Sequence, residues 1–166
     1  MSMNGRVSVR AAEEHEVALI LSFIRELAQF ERLAHEVVAT EAELHRALFG
    51  PRRFAEVVFA CVDGEAVGFA LYFHSFSTFL GRPGLYLEDL FVRPAHRGRG
   101  VGRYLLGWLA QAALERGCGR LEWAVLDWNE AAIRFYRKLG AELKEEWKTC
   151  RVAGMALEAL AARDLD

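Results

Sequence analysis

Arg97-Gly98-Arg99-Gly100-Val101-Gly102-Arg103 is the stretch on which the reading of the fold turns. A β-rich run, Leu85 to Val92, precedes it and is stopped by Pro94. An amphipathic helix follows, marked by Val101, Leu105, Trp108, Leu109 and Ala112 and ended near Gly117 and Gly119. Glycines between a strand and a helix let backbone N–H groups come close to a ligand. The helix start adds unsatisfied N–H donors and about half a positive charge from its dipole. Together these make a phosphate or diphosphate cradle, and Arg97, Arg99 and Arg103 add positive charge at the same corner. Two familiar phosphate loops do not fit. A Walker loop ends in Gly-Lys-Ser/Thr, whereas Gly102 is followed by Arg103 and Tyr104, and a dinucleotide fingerprint needs glycine at position 103. The glycines alone also suit a flexible loop with solvated arginines, so the surroundings decide.

Toward the N-terminus, Val7 and Val9 alternate with polar neighbours as a short first strand. Val17, Ile20, Leu21, Ile24, Leu27 and Ala28 recur at helical spacing, and Glu31 falls in the next slot of that stripe. A carboxylate there is either held on the buried side of a helix end, which is costly without a partner, or solvated in a frayed last turn. Thr40 and Glu43 form a capping box opening a helix that Gly50-Pro51 closes. Residues 54–62 and 65–74 are strands joined by the hairpin signal Asp63-Gly64. A ten-residue loop, Ser75 to Gly84, follows, with Phe76, Phe79 and Leu80 available to lie over a site.

Beyond the glycine stretch, Leu121 to Asp127 reads as a strand. Asn129 is the N-cap of a helix through Leu139, with Gly140 just past its end. Two last strands are drawn through Leu143 to Trp147 and Thr149 to Leu157. The order β-α-α-β-β-β-α-β-α-β-β describes an α/β (α+β) fold, a mixed, mostly antiparallel sheet flanked by helices, in one domain over residues 1–166.

The 166 residues are 53% apolar and 27% charged, with mean hydropathy +0.07, which excludes a disordered chain. A formal net charge of −2 gives no reason to expect a nucleic-acid partner. No run approaches the roughly 18 apolar residues of a membrane span, and no signal-like stretch occupies the first ten residues. Cys61, Cys118 and Cys150 show no metal spacing and cannot all pair, and the five histidines add none, so no metal is expected. These features lead us to expect a cytoplasmic protein with no membrane partner.

The flanks of the glycine stretch are Leu85-Tyr86-Leu87-Glu88-Asp89-Leu90-Phe91-Val92 and Asn129-Glu130-Ala131-Ala132-Ile133-Arg134-Phe135-Tyr136. With them the chain resembles the GNAT superfamily of acyl-CoA-dependent N-acetyltransferases over nearly its whole length. Arg25 to Glu31, Tyr86 to Val92 and Asp127 to Glu130 further resemble the diamine branch, the spermidine/spermine and thialysine enzymes. Phe30 departs from that branch, which has tyrosine there, and the tail after Trp147 departs as well.

The resemblance implies acetyl-CoA as co-substrate and a primary amine as acceptor. Such an amine has a pKa near 10.4, so at pH 7 less than about 0.1% is neutral, a penalty of roughly 4–5 kcal/mol unless a base assists. Glu88 stands where the family binds substrate and is the candidate base, directly or through water; the alternative is a polar residue on a strand's open face. Asp89 falls on the opposite face if strand alternation holds and is read as structural, a reading that a bulge overturns. Tyr136 stands at the general-acid position, serving a leaving thiol of pKa near 8.5.

By the same resemblance, main-chain groups of Leu90, Phe91 and Val92 receive the cofactor's amides as an added strand does. Arg97, Gly98, Arg99, Gly100, Val101, Gly102 and Arg103 hold its diphosphate, and Asn129, Ala132 and Tyr136 its far side. Phe30, Glu31, Glu88, Glu122, Trp123 and Ala124 line the amine site. Trp123 and Trp128 offer ring faces for cation–π contact or serve as packing. A homodimer is implied, and the apolar tail from Val152 to Leu160 is available as an interface or as a last strand. Two alternatives remain open: another acceptor, such as a protein N-terminus, lysine or aminoglycoside, and a non-catalytic acyl-CoA-binding domain.

Overall fold

The computed structural model describes residues 5–163. The chain divides into two compact units, one running to Leu126 and one beginning at Asp127.

The first unit is built on five strands: β1 (Val7–Ala11), β2 (Glu56–Val62), β3 (Glu65–Ser77), β4 (Arg82–Val92) and β5 (Leu121–Trp123). They lie in the order β1-β2-β3-β4-β5, antiparallel throughout except for the parallel β4–β5 pair, as the mixed, mostly antiparallel reading requires. Helices α1 (Val17–Phe30) and α2 (Glu41–Phe49) cover one face. There Ile20, Phe23, Leu48, Val57, Phe59, Cys61, Phe69 and Phe91 form a buried cluster. Phe23 stacks on Phe69 with ring centroids 5.3 Å apart, and fully burying such a side chain contributes roughly 1.5–3 kcal/mol. Helix α3 (Val101–Glu115) covers the other face with Leu105, Leu106 and Leu109, and Trp108 meets Tyr72 of β3 edge-on.

Local chemistry explains the well-read elements. Asp63 and Gly64 take φ values of 50° and 85°, the positive pair that a two-residue hairpin turn demands, and Asp63 Oδ1 accepts the Arg6 N–H at 3.2 Å. The Thr40–Glu43 capping box closes at the start of α2, with Thr40 Oγ1 accepting the Glu43 N–H at 3.2 Å.

Two readings of the first unit need correction. The segment read as a ten-residue loop, Ser75 to Gly84, is largely strand: Ser75 pairs with Gly84, Phe76 with Pro83 and Ser77 with Arg82, leaving a turn over 78–81. Aromatic packing carries the hairpin outward, Phe73 lying 5.2 Å from Tyr86 between ring centroids. The strand read over Leu121 to Asp127 stops at Trp123.

The second unit holds α4 (Glu130–Lys138) and α5 (Gly154–Ala161). Neither of the two final strands expected from sequence is present. Lys144 pairs with Glu142 at 3.2 Å and Glu146 at 3.1 Å, so its charges are met locally instead of across a ladder. The segment Met155-Ala-Leu-Glu-Ala-Leu-Ala161 consists of strong helix formers, and that propensity, not its apolar content, sets its form. Among the described residues no helix is long and apolar enough to cross a membrane.

Candidate active site

Strand β4 carries the centre of the site. Leu71 of β3 pairs with Asp89, while the next residue, Tyr72, pairs with Leu87, so Glu88 is the extra residue of a β-bulge. Adjacent residues of β3 face opposite ways, and the bulge therefore puts Leu87 on the α3 face and Asp89 on the α1 face. The strict alternation behind a structural role for Asp89 does not hold. Desolvation first, then the negative charges of Glu88 and Glu31, push the Asp89 carboxyl up to about 7.

Glu31 is the C-cap of α1 and is half-buried, its carboxyl raised by desolvation, so the frayed, solvated alternative fails. The helix ends cleanly: the Arg32 N–H donates to Gln29 O at 3.1 Å and the Leu33 N–H to Ala28 O at 2.8 Å, with Arg32 left-handed at φ 62°. Glu122 lies on β5 in register with Tyr86. The Tyr86 phenol is raised by desolvation and then by the charges of Glu88 and Glu122. Glu88 is thus the common member of two acidic neighbourhoods, one reaching Glu31 through Asp89 and the other reaching Glu122 past Tyr86. Sequence reasoning named Glu31, Glu88 and Glu122, read Asp89 as structural unless a bulge intervened, and gave Tyr86 no role. The pairing register places both beside the named carboxylates.

Strand β5 pairs with β4 at Leu85 to Leu87 alone. Among the described residues, Glu88 to Val92 therefore have no strand neighbour on that side, which leaves a main-chain edge at the residues expected to receive an added strand. A 3-10 turn, Pro94–His96, carries the chain to the glycine stretch. Gly98 and Gly100 are left-handed at φ 74° and 80°, and a Cβ at either meets nothing within 4 Å, so backbone conformation and not crowding calls for glycine. Helix α3 begins at Val101 with Gly100 as N-cap, and no side chain caps it. Its first N–H groups and the exposed Arg99 and Arg103 share this corner.

Arg97 differs from its neighbours. Its Nε–H donates to Val92 O at 2.8 Å, and its Cζ lies 4.6 Å from the Phe30 ring centroid and 5.1 Å from that of Phe91. His96 Nδ1 is buried without a hydrogen-bond partner. Trp123 is half-buried beside Leu87, and Ala124 follows it exposed. No group of three or more His, Cys, Asp and Glu side chains gathers as a metal site among the described residues.

In the second unit, Asn129 caps α4, its Oδ1 accepting the Ala132 N–H at 3.2 Å as its sequence position implies. Tyr136 and Phe135 are half-buried, with ring centroids 5.6 Å apart. Gly140 at φ 93° ends the segment, and the Ala141 N–H returns to Tyr136 O at 3.0 Å.

A model of the acetyltransferase (GNAT) family matches residues 21–141, and the chain belongs to that family. It is 39% identical to a thialysine N-epsilon-acetyltransferase of Mus musculus, over 93% of this chain and 97% of that protein. It is 32% identical to an L-ornithine N5-acetyltransferase of Arabidopsis thaliana, over 92% of this chain and 86% of that protein. Among solved structures, an integron cassette protein of V. cholerae aligns with a TM-score of 0.78 at 30% identity, covering 95% of this chain and 98% of its own. The chain is an N-acetyltransferase.

Proposed function

We propose that the enzyme uses acetyl-CoA to acetylate a primary amine of a small cationic substrate, a diamine, a polyamine or a thialysine-like amino acid. The observation that carries this reading is the position of Glu88, a bulge residue shared by two acidic neighbourhoods at the start of the unpaired β4 edge. An ammonium group is the natural counterion of such a place. Phe30, Glu31, Glu88, Asp89, Glu122, Trp123 and Ala124 form the amine side in this reading. The names of the mouse and plant relatives support a substrate carrying two cationic centres.

The glycine turn suits the coenzyme on its own features: two left-handed glycines, an uncapped helix start and two exposed arginines. Main-chain N–H groups of Gly98 to Arg103 hold the diphosphate, and Leu90, Phe91 and Val92 offer backbone groups to the amides. Asn129 and Ala132 are assigned to the coenzyme's far side. When bound, the coenzyme supplies an activated acetyl thioester. Glu88 takes the proton that frees the amine lone pair, directly or through one water, and the carboxylates around it hold the ammonium beforehand. The new N–C bond forms and the C–S bond breaks; Tyr136 is assigned the proton that the departing sulfur accepts, and the second proton shed by the acylated nitrogen restores the phenol.

A cytoplasmic homodimer belongs to the same reading, and sedimentation of the purified enzyme tests the dimer. Thiol release from acetyl-CoA across a panel of thialysine, ornithine, putrescine, spermidine, lysine and an aminoglycoside tests the substrate class. Turnover with the small di-cationic amines is expected. Turnover confined to the aminoglycoside contradicts the assignment.

A further inference from the structure

We infer that Arg97 is a positioning residue that ties the glycine turn to the C-terminal end of α1, so that coenzyme in the turn strengthens amine binding at Glu31. The inference rests on the acetyl-CoA reading above and goes beyond it by giving one side chain the coupling between the two sites.

Three contacts hold the Arg97 guanidinium. The Nε–H is held by Val92 O at 2.8 Å, and two rings lie within 6 Å of Cζ, Phe30 at 4.6 Å and Phe91 at 5.1 Å. Phe91 is part of the buried cluster beneath α1, which makes it a fixed support. Phe30 is the last residue of α1 and immediately precedes the cap, Glu31. Arg97 itself immediately precedes Gly98, the first left-handed glycine of the turn. One planar side chain therefore touches the end of β4, the end of α1 and the start of the turn.

Arg93 repeats the pattern on the other side of the Pro94–His96 turn. It bonds the Glu26 carboxylate at 3.3 Å, and its Cζ lies 4.5 Å from the Phe23 ring centroid. Phe23, Glu26 and Phe30 follow at i, i+3 and i+7, a single stripe of α1. Two arginines thus clamp the segment leading into the turn onto that stripe. A shift of the turn on binding an anion reaches Phe30 and Glu31 through the second clamp. Direct ligation of phosphate by Arg97, the reading from sequence, falls to its terminal N–H groups, because the Nε–H is held by Val92 O. Phe30 matters for the same reason, because its ring face is occupied by a protein cation before any substrate arrives.

Calorimetry and kinetics on Arg97→Lys, Phe30→Leu, Phe30→Tyr and the Arg97→Lys/Phe30→Leu double variant test this. The readouts are the Kd of CoA, the Kd of putrescine with and without saturating CoA, and the split of kcat from KM. In the native enzyme CoA is expected to tighten putrescine binding. Phe30→Leu and Arg97→Lys should each shrink that enhancement, with losses on the order of tenfold. The double variant should lose little more than either single one, and Phe30→Tyr, which keeps a ring, should retain the enhancement. Additive losses overturn the inference, as does a weakened CoA Kd in Arg97→Lys with the enhancement intact in Phe30→Leu. No heat of CoA binding to the native enzyme overturns the underlying acetyl-CoA reading instead, and is thereby told apart.

Discussion

Leu87 and Asp89 stand two residues apart on β4 yet face opposite sides of the sheet, because the Glu88 bulge pairs Leu87 with Tyr72 and Asp89 with Leu71. The reversal keeps an apolar side chain under α3 and sends a carboxylic acid toward the end of α1, where Glu31 lies within electrostatic reach. A strand without the bulge puts both on one face and leaves a carboxyl against the α3 core.

The pH dependence of stability follows. The folded-state value of Asp89, about 7, lies above its ordinary 3.8, so the folded protein holds more protons than the unfolded chain between these values. Stability contributed by the protonated group is full below the lower value and is lost as pH rises through about 7. Asp89→Asn should exceed the native enzyme in stability at pH 8.5 by about 1–3 kcal/mol, and the difference should shrink as pH falls to 5. Urea unfolding at the two pH values checks this. At pH 8.5, where the Asp89 carboxyl is ionised, the same substitution should raise the KM for a diamine about tenfold, through loss of a charge facing the ammonium.

Glu88→Gln should lower kcat about 100-fold at pH 7, because the amine then loses its proton unaided. The deficit should narrow as pH rises toward 10, where the substrate deprotonates in solution. A pH profile of thiol release reads both effects. A deficit independent of pH assigns Glu88 to binding alone.

Gly100→Ala isolates the backbone's part in the turn. The added methyl meets no atom within 4 Å, but the residue must hold φ near 80°, at a cost of about 1–2 kcal/mol. The expected result is a rise of about 5- to 30-fold in the KM for acetyl-CoA, with the KM for the amine changed less.

Tyr136→Phe removes one oxygen while leaving a ring to pack on Phe135. We expect kcat to fall about 100-fold with both KM values nearly unchanged. A full-rate variant moves the proton assignment to another group.

Much of the fold was legible because its signals are local. The Asp63-Gly64 turn, the Thr40 capping box, the stripe of α1 and the glycines before α3 each act through a few neighbouring residues. Glu31, Glu88 and the glycine turn stood out in the sequence as candidates for the same reason, helped by the family resemblance. The bulge at Glu88 was not, since an extra residue in a strand is defined by its partner strand and nothing in Leu87-Glu88-Asp89 announces it. The Arg97 stack joins residues 67 positions apart, Phe30 and Arg97, and no local pattern carries that information. The tail misled because an apolar run of Met, Ala and Leu says that a segment is nonpolar without saying which period it follows.

The central claim is that the glycine turn holds acetyl-CoA while the Glu88 carboxylates hold a small cationic amine. Thiol release measured with acetyl-CoA and each of thialysine, ornithine, putrescine and spermidine, beside a calorimetric titration with CoA, tests it most directly. The account predicts saturable CoA binding and rapid turnover of at least one of these amines, lost in Glu88→Gln at neutral pH. Binding of CoA without transfer to any of the four, or no heat of binding at all, contradicts it.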